Sequence, residues 1–301
     1  MTEIKREVRK FYDQDGWQMV SDDVYQNARY EDLRPVSREY IHRCHLRVSR
    51  HLNPSGELLL DAGSGPIQYP EYLEYSKEYR YRVCADISIT ALREARKRIA
   101  DHGIYVVCDI ASLPFMKGAF GGIVSLHTIH HLPEGEHLQA YQELYRVLEP
   151  ESSAVVVNGW PSSSLMNIAD PLIRSSNRVR GLIRRLSGNQ RPSPPAGNEK
   201  RQTTAVEQKG KKQKGTFTER HDVEWLKEQV GASMPVNILV WRSVSVRFLR
   251  SLIHPHTGGR YWLRLLFWLE ERFPHFFGEQ GQYPLVILTK GDRPERTMEN
   301  K

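Results

Sequence analysis

Residues 58–68 read Leu-Leu-Leu-Asp-Ala-Gly-Ser-Gly-Pro-Ile-Gln, and this stretch constrains the fold most. A short apolar run ends in an acid and passes directly into a glycine-rich turn. The run predicts a buried strand, and the segment after Pro66 predicts the start of a helix. Gly63 and Gly65 let the backbone turn sharply and approach a ligand that a Cβ would hold off. The helix start beyond them offers free N–H groups and a positive dipole end. That combination suits a carboxylate or a phosphate.

Two ligand classes use such a turn. The dinucleotide fingerprint carries a third glycine or alanine where this chain has Gln68, which is too large for close helix–strand contact. Asp61, two residues before Gly63, can accept hydrogen bonds from an ammonium group or from ordered water. An amino-acid-bearing cofactor therefore fits better than a pyrophosphate.

The pattern continues downstream. Residues 57–61, 81–86, 104–109, 121–127, 153–158, 237–241 and 283–289 read as strands. Helices are expected over 4–12, 36–52 with Ser37 as cap, 69–79, 88–101 with Ser88 as cap, 136–147 and 217–230. Strand and helix in alternation predict a doubly wound parallel sheet. Asp61, Asp86 and Asp109 end the first three strands, at the carboxyl edge where open α/β sheets bind ligands.

The alternation breaks after Trp160. Asp170-Pro171 reads as a cap and first turn, opening a helix with Leu172, Val179, Ile183 and Leu186 on one face and Arg174, Arg178, Arg184 and Arg185 around it. Gly188 can end this helix, and residues 189–215 have the composition of a disordered segment. The formal charge of +7 is concentrated here: residues 171–220 hold 13 Lys+Arg against 3 Asp+Glu. Between the last two strands Trp262, Phe267, Trp268, Phe273, Phe276 and Phe277 crowd together, and Pro274 is expected to stop their helix. A cap on the core is the simplest reading of these aromatics, and an apolar acceptor pocket is the second. Cys44, Cys84 and Cys108 lack CxxC spacing and read as reduced thiols. With no apolar run of membrane length and no apolar core of a signal peptide, a cytoplasmic protein is expected.

The Leu58–Gln68 stretch resembles motif I of the class I S-adenosylmethionine-dependent methyltransferases, and the ordered acids extend the resemblance over residues 57–160. Within that family the chain looks like a branch of the ubiquinone/menaquinone-type, or type 11, group. The resemblance implies a Rossmann-like, seven-stranded sheet in the order 3-2-1-4-5-7-6 with strand 7 antiparallel. It further implies a helical N-terminal cap over residues 1–53, a core over 54–160 and 216–292, insertions after strands 5 and 6, and a tail from 293. The implied cofactor is S-adenosyl-L-methionine, held by Asp61, Gly63, Ser64 and Gly65. Asp86 lies 21 residues after Gly65 and would accept the ribose hydroxyls, with Ile87 on the adenine face. Asp109 and Ile110 would clamp the adenine, and Ser125 and Leu126 would run beside the methionine moiety.

The activity implied is methyl transfer to a small-molecule or lipid-like acceptor. Tyr12, Trp17 and Tyr25 are candidates to lie near the methyl group, or simply to pack. In the run from Ser125 to Pro133, His127 and His130 are candidate general bases, and pocket-shaping is the simpler role. No cysteine or acid nearby completes a metal site. The basic segment reads first as a solvated insertion, second as contact with an anionic membrane, and third as RNA binding. Two other classes stay open: an NAD(P)-dependent oxidoreductase and a non-catalytic binder of S-adenosylmethionine or RNA.

Overall fold

The computed structural model describes residues 2–17, 19–21, 24–25, 31–186 and 216–291. Seven strands form the central sheet: β1 (Gly56–Ala62), β2 (Tyr79–Asp86), β3 (Gly103–Val107), β4 (Gly122–Leu126), β5 (Ser153–Val157), β6 (Val236–Arg242) and β7 (Tyr283–Thr289). Their order is 3-2-1-4-5-7-6, as the resemblance implied, and β7 alone runs against its neighbours. β1 pairs in parallel with β2 and β4 on its two sides, so its carboxyl end opens at the centre of the sheet edge.

Both faces of the sheet are covered. Leu60, Ile123 and Val156 point to the face packed by α4 (His137–Val147), through Ala140 and Leu144. Leu59, Val124 and Val155 point to the other face, against Val48, Tyr75 and Trp241. This two-sided burial is why the strands read as continuous apolar runs. α3 (Ile89–Ile99) packs Leu92 and Ala95 against Cys84, and Ser88 caps it by accepting from the Ala91 N–H at 3.1 Å. A separate helical layer joins α2 (Arg38–Leu46) to α7 (Val246–Leu252) and α8 (Gly259–Arg272) through Ile41, Leu249, Leu263 and Phe267. α1 (Glu3–Phe11) continues into a π turn at Tyr12–Gly16.

Several elements differ from expectation for physical reasons. Residues 69–79 form 3₁₀ turns over Pro70–Ser76, not a long helix. Tyr69, Tyr72 and Tyr75 recur every third residue, which matches the three-residue turn of a 3₁₀ helix and aligns their rings. Ser37 occupies the cap position of α2, but its hydroxyl donates to Asp32 at 2.7 Å instead. Asp170-Pro171 does not open a helix. α5 runs continuously through Pro171 over Ser164–Leu186, and Ser163 supplies its first-turn bond to the Met166 N–H. Residues 216–222 form no regular element, and a short α6 (Val223–Trp225) starts only after Asp222. The aromatic helix does stop before Pro274, ending at Arg272, and Pro274 then begins α9 (Pro274–Gln280) at a position that needs no N–H donor.

The aromatic segment is not a continuous cap. Phe267 is buried, its ring 3.7 Å from the Arg43 guanidinium carbon and 4.1 Å from that of Arg47. Trp262 (62%) and Trp268 (60%) are exposed, as are Phe273 and Phe276. Gly188, the residues 189–215, the tail and the side chains of Tyr25, Ile183, Arg184, Arg185 and Leu186 lie outside the description. Among the described residues no helix is long and apolar enough to cross a membrane. Cys44 and Cys84 are buried free thiols, and Cys108 lies just past β3, half-buried.

Candidate cofactor and acceptor site

The glycine turn leaves β1 at the centre of the carboxyl edge. Gly63 and Gly65 take φ of +77° and +54°, the left-handed region that favours glycine. A Cβ on Gly63 would fall 2.1 Å from Cγ2 of Thr128, so the turn is locked against the loop after β4. The Thr128 hydroxyl lies 3.2 Å from the Gly63 carbonyl oxygen and donates toward it. Ser125 Oγ donates to the Ala62 carbonyl at 2.9 Å, so this residue ties β4 to β1 and its hydroxyl is committed there.

The three acids stand in different environments. Asp61 is buried, and Nε and Nη2 of the fully buried Arg82 both donate to its Oδ2. Arg82 also donates to the Tyr72 carbonyl, so the pair fixes the tyrosine turns to the sheet. Asp86 accepts the Gly65 N–H at 2.9 Å on one oxygen and the Ser88 N–H at 2.8 Å on the other. Burial pushes the Asp86 carboxyl up to about 6, against the downward pull of those two N–H groups. Asp109 accepts the Ala111 N–H at 3.0 Å and the ammonium of the buried Lys5, which also pairs with Glu136. Burial alone would lower Lys5. The hydrogen bonds to Asp109 and Glu136 outweigh it and hold the ammonium above its ordinary value.

Of the remaining expected cofactor residues, Ile87 is half-buried beside Asp86 and Ser64 is half-buried in the turn. Ile110 packs into the core against the sheet, and Leu126 packs partly on the opposite face. The candidates thus gather along one edge, with Ile110 and Ser125 turned inward.

Rings surround the mouth of this edge in one connected series. Trp17 lies against the turn, 3.0 Å from where a Gly65 Cβ would stand, and stacks on Tyr12 at 5.0 Å. Tyr12 meets His131 at 5.4 Å, and His131 meets His130 at 4.2 Å. His127 contacts His130 at 6.4 Å and Trp241 at 5.1 Å. Trp241 stacks on His45 at 5.4 Å, and His45 meets Tyr69 at 4.7 Å, four residues past Gly65. This collar of rings therefore starts at the glycine turn and runs to Tyr69.

His127, His130 and His131 are held neutral. Burial, then Arg242 and Arg220, push His127 down to about 3. Burial takes His130 well below its ordinary value and His131 to about 4. His131 Nδ1 donates to the Phe217 carbonyl at 2.7 Å, so its Nε2 accepts from the Tyr12 hydroxyl at 2.8 Å. His130 Nδ1 lies 3.2 Å from Asn158 Oδ1 and donates to it. A base works best with a pKa near the operating pH, so none of the three is tuned for that work here. His127 takes a φ of +57°, uncommon for a side chain with a Cβ, which turns its ring toward Trp241 and Tyr283.

Sequence reasoning missed Lys5, His45, Thr128, Trp241 and Arg242. Lys5 had a signal: it shares the buried face of α1 with Val8 and Phe11. Trp241 and Arg242 end β6 at the same edge as Leu126 ends β4, which the strand order makes readable only once β6 is placed.

The carboxyl of Asp86 sets a pH dependence. Its folded value of about 6 lies above the ordinary 3.8 of an aspartate, so the native state binds the extra proton. Its contribution to stability therefore grows as pH falls through about 6 and is absent above it. Ligand hydroxyls need the ionised acceptor. Affinity for S-adenosylhomocysteine should fall up to about tenfold per pH unit below about 6, as titration calorimetry can measure. A flat profile down to about pH 5 would remove Asp86 from ligand binding.

The residues fit S-adenosylmethionine. Side-chain-free glycines form the cradle, acids stand along the edge, and rings surround it. Residues 60–156 match the family described as a methyltransferase domain. A curated relative, tRNA (carboxymethyluridine(34)-5-O)-methyltransferase alkbh8 of Xenopus tropicalis, is 29% identical over 139 residues, 40% of this chain. The chain spans about a fifth of that relative's length, 21%. Geranyl diphosphate C-methyltransferase of Streptomyces coelicolor, solved with S-adenosyl-L-homocysteine, has the same fold. Its TM-score is 0.51 at 15% identity, covering 96% of this chain and 98% of that one. Phosphoethanolamine N-methyltransferase 2 of Haemonchus contortus, solved with S-adenosyl-L-methionine, gives 0.52 at 12% identity, covering 97% and 61%. Residues 60–156 thus match the family described as a methyltransferase domain, and the chain shares its fold with methyltransferases solved with S-adenosyl-L-homocysteine and S-adenosyl-L-methionine.

Proposed function

We propose that the protein transfers a methyl group from S-adenosylmethionine to a small-molecule or lipid-like acceptor seated inside the aromatic collar. The observation that carries this reading is the connected series of rings from Trp17 to Tyr69 beside the edge where β1 and β4 end. S-adenosylmethionine, when bound, supplies a methyl group already activated on a sulfonium. The protein's part is to hold, orient and exclude water.

In this reading the Gly63–Gly65 turn, packed by Thr128 and Trp17, borders the cofactor, and Asp61, Asp86 and Asp109 receive its polar groups. The ring faces favour a cation at the centre of the collar, as aromatic quadrupoles do. His127 and His130 shape the acceptor's seat rather than remove its proton, in keeping with their depressed basicity. Lipid-like acceptors gain support from α8, where Trp262 and Trp268 stand exposed beside Arg260, Arg264 and Arg272. Such a mixture of rings and guanidinium groups suits the interface of an anionic membrane.

The test is methyl transfer from labelled S-adenosylmethionine into three fractions: water-soluble metabolites, extracted lipids and total RNA. Label in either of the first two is expected. Label in RNA alone would overturn the acceptor class, and no label anywhere, despite cofactor binding, would favour a non-catalytic binder. Calorimetry with NAD in parallel is expected to show no binding.

A further inference from the structure

We propose that Arg242, Trp241 and His45 form an acceptor subsite that takes a carboxylate. This rests on the proposed methyl-transfer reading and specifies its acceptor. The three side chains are adjacent: Trp241 stacks on His45 at 5.4 Å, and the Arg242 guanidinium lies 5.1 Å from the Trp241 ring and 4.6 Å from that of Tyr283. All three are almost wholly buried, Arg242 at 2%. Yet Nε1 of Trp241, Nε of Arg242 and both ring nitrogens of His45 have no hydrogen bond. Native proteins seldom leave buried donors unmet, and four such atoms in one cluster imply a polar group that completes them.

The donors define what that group is. An indole N–H and a guanidinium Nε–H can only donate, so the group must accept. The other side of the Arg242 guanidinium is held by Glu31 through Nη1, and His45 lies 4.0 Å from Glu31 and 3.5 Å from Glu71. Beside these carboxylates a doubly charged phosphate meets more repulsion than a singly charged, planar carboxylate. Two oxygens also match the remaining fork of donors. His127, in ring contact with Trp241, places the subsite at the mouth of the cofactor edge. Its lowered basicity, to which Arg242 and Arg220 contribute after burial, is consistent with a positive potential there. A carboxylate is already ionised at neutral pH, so an acceptor of this class needs no strong base from the collar histidines.

The experiment follows the indole N–H resonances of the full chain in 1H–15N spectra, with Trp241 assigned by Trp241→Phe. Acetate, benzoate and octanoate are titrated in, with benzamide and phenyl phosphate as contrasts, in the presence of S-adenosylhomocysteine. At least one carboxylate is expected to shift the Trp241 signal saturably, while benzamide and phenyl phosphate leave it in place. Arg242→Lys should weaken that carboxylate at least tenfold. Trp241→Phe keeps the ring and should weaken it about threefold, read on the Arg242 Nε–H, so a poorly folded Arg242 variant does not remove the test. No shift with any carboxylate, or an equal shift with phenyl phosphate or benzamide, overturns the subsite. Failure of S-adenosylhomocysteine itself to bind would instead overturn the methyl-transfer reading.

Discussion

Replacing Glu270 with alanine is expected to lower the unfolding free energy by about 3–5 kcal/mol, the range for breaking a buried ion pair from one side. Glu270 lies on α8 and is fully buried. Its Oε1 accepts from the Tyr40 hydroxyl at 2.6 Å and from the Ser243 N–H at 3.0 Å. Its Oε2 accepts from Arg47 Nη1 at 2.9 Å. Removing the carboxylate strands Arg47 in the interior with the Trp241 carbonyl and with Glu271, which is partly exposed. Because Glu271 remains, the loss should fall toward the lower end. Glu270→Gln keeps the shape and the acceptor oxygen for Tyr40 and Ser243, and should lose roughly half as much. Urea denaturation measures both. A loss below about 1 kcal/mol for the alanine variant would show that α8 is held by its apolar face alone.

The same network reaches the site. Arg47 bonds the Trp241 carbonyl and Glu270 bonds the Ser243 N–H, so the end of β6 that carries Trp241 and Arg242 is fixed from behind. A partly destabilised variant should therefore lose the Trp241 indole shift before it loses cofactor binding.

The sheet was legible because its strands are buried on both faces and need long apolar runs, while Ser88 and the glycine turn mark element ends without tertiary help. What was not legible depends on distant partners. Arg82, Arg47, Glu270 and Arg242 look like surface residues to any reading by polarity. Their partners lie 21, 223, 223 and 211 positions away, so only the fold reveals that they are buried pairs. Pro171 misled because proline is commoner at a helix start than inside one, and α5 carries it regardless, with Asp170 beside it paired to Arg174 and Arg247. The aromatics of α8 were read by composition, and composition does not say which face of a helix meets solvent. The turn and its acids were recognised as a site by their order, but their hydrogen-bond commitments, such as Lys5 on Asp109, required coordinates.

Gly63→Ala should lower S-adenosylhomocysteine affinity by at least about a hundredfold and stability by about 2–4 kcal/mol. Two costs add. A φ of +77° disfavours any residue with a Cβ, and that Cβ would overlap Thr128, whose Cγ2, Oγ1 and Cβ lie 2.1, 2.3 and 2.7 Å from its position. Relief requires the turn or the loop after β4 to move. The turn is held by the Gly63 N–H on the Ala85 carbonyl at 2.7 Å and by the Gly65 N–H on Asp86 at 2.9 Å. Moving it breaks the bonds that fix the turn and hold Asp86 beside it. The two costs can be separated by a second change. Thr128→Gly removes all three overlapping atoms and leaves the backbone strain, so in the Gly63→Ala background it should recover part of the lost affinity and not all of it. Full recovery would mean that the left-handed backbone matters little, and no recovery would mean that the contact with Thr128 does not set the turn. Calorimetry on the two single variants and the double variant gives the coupling directly.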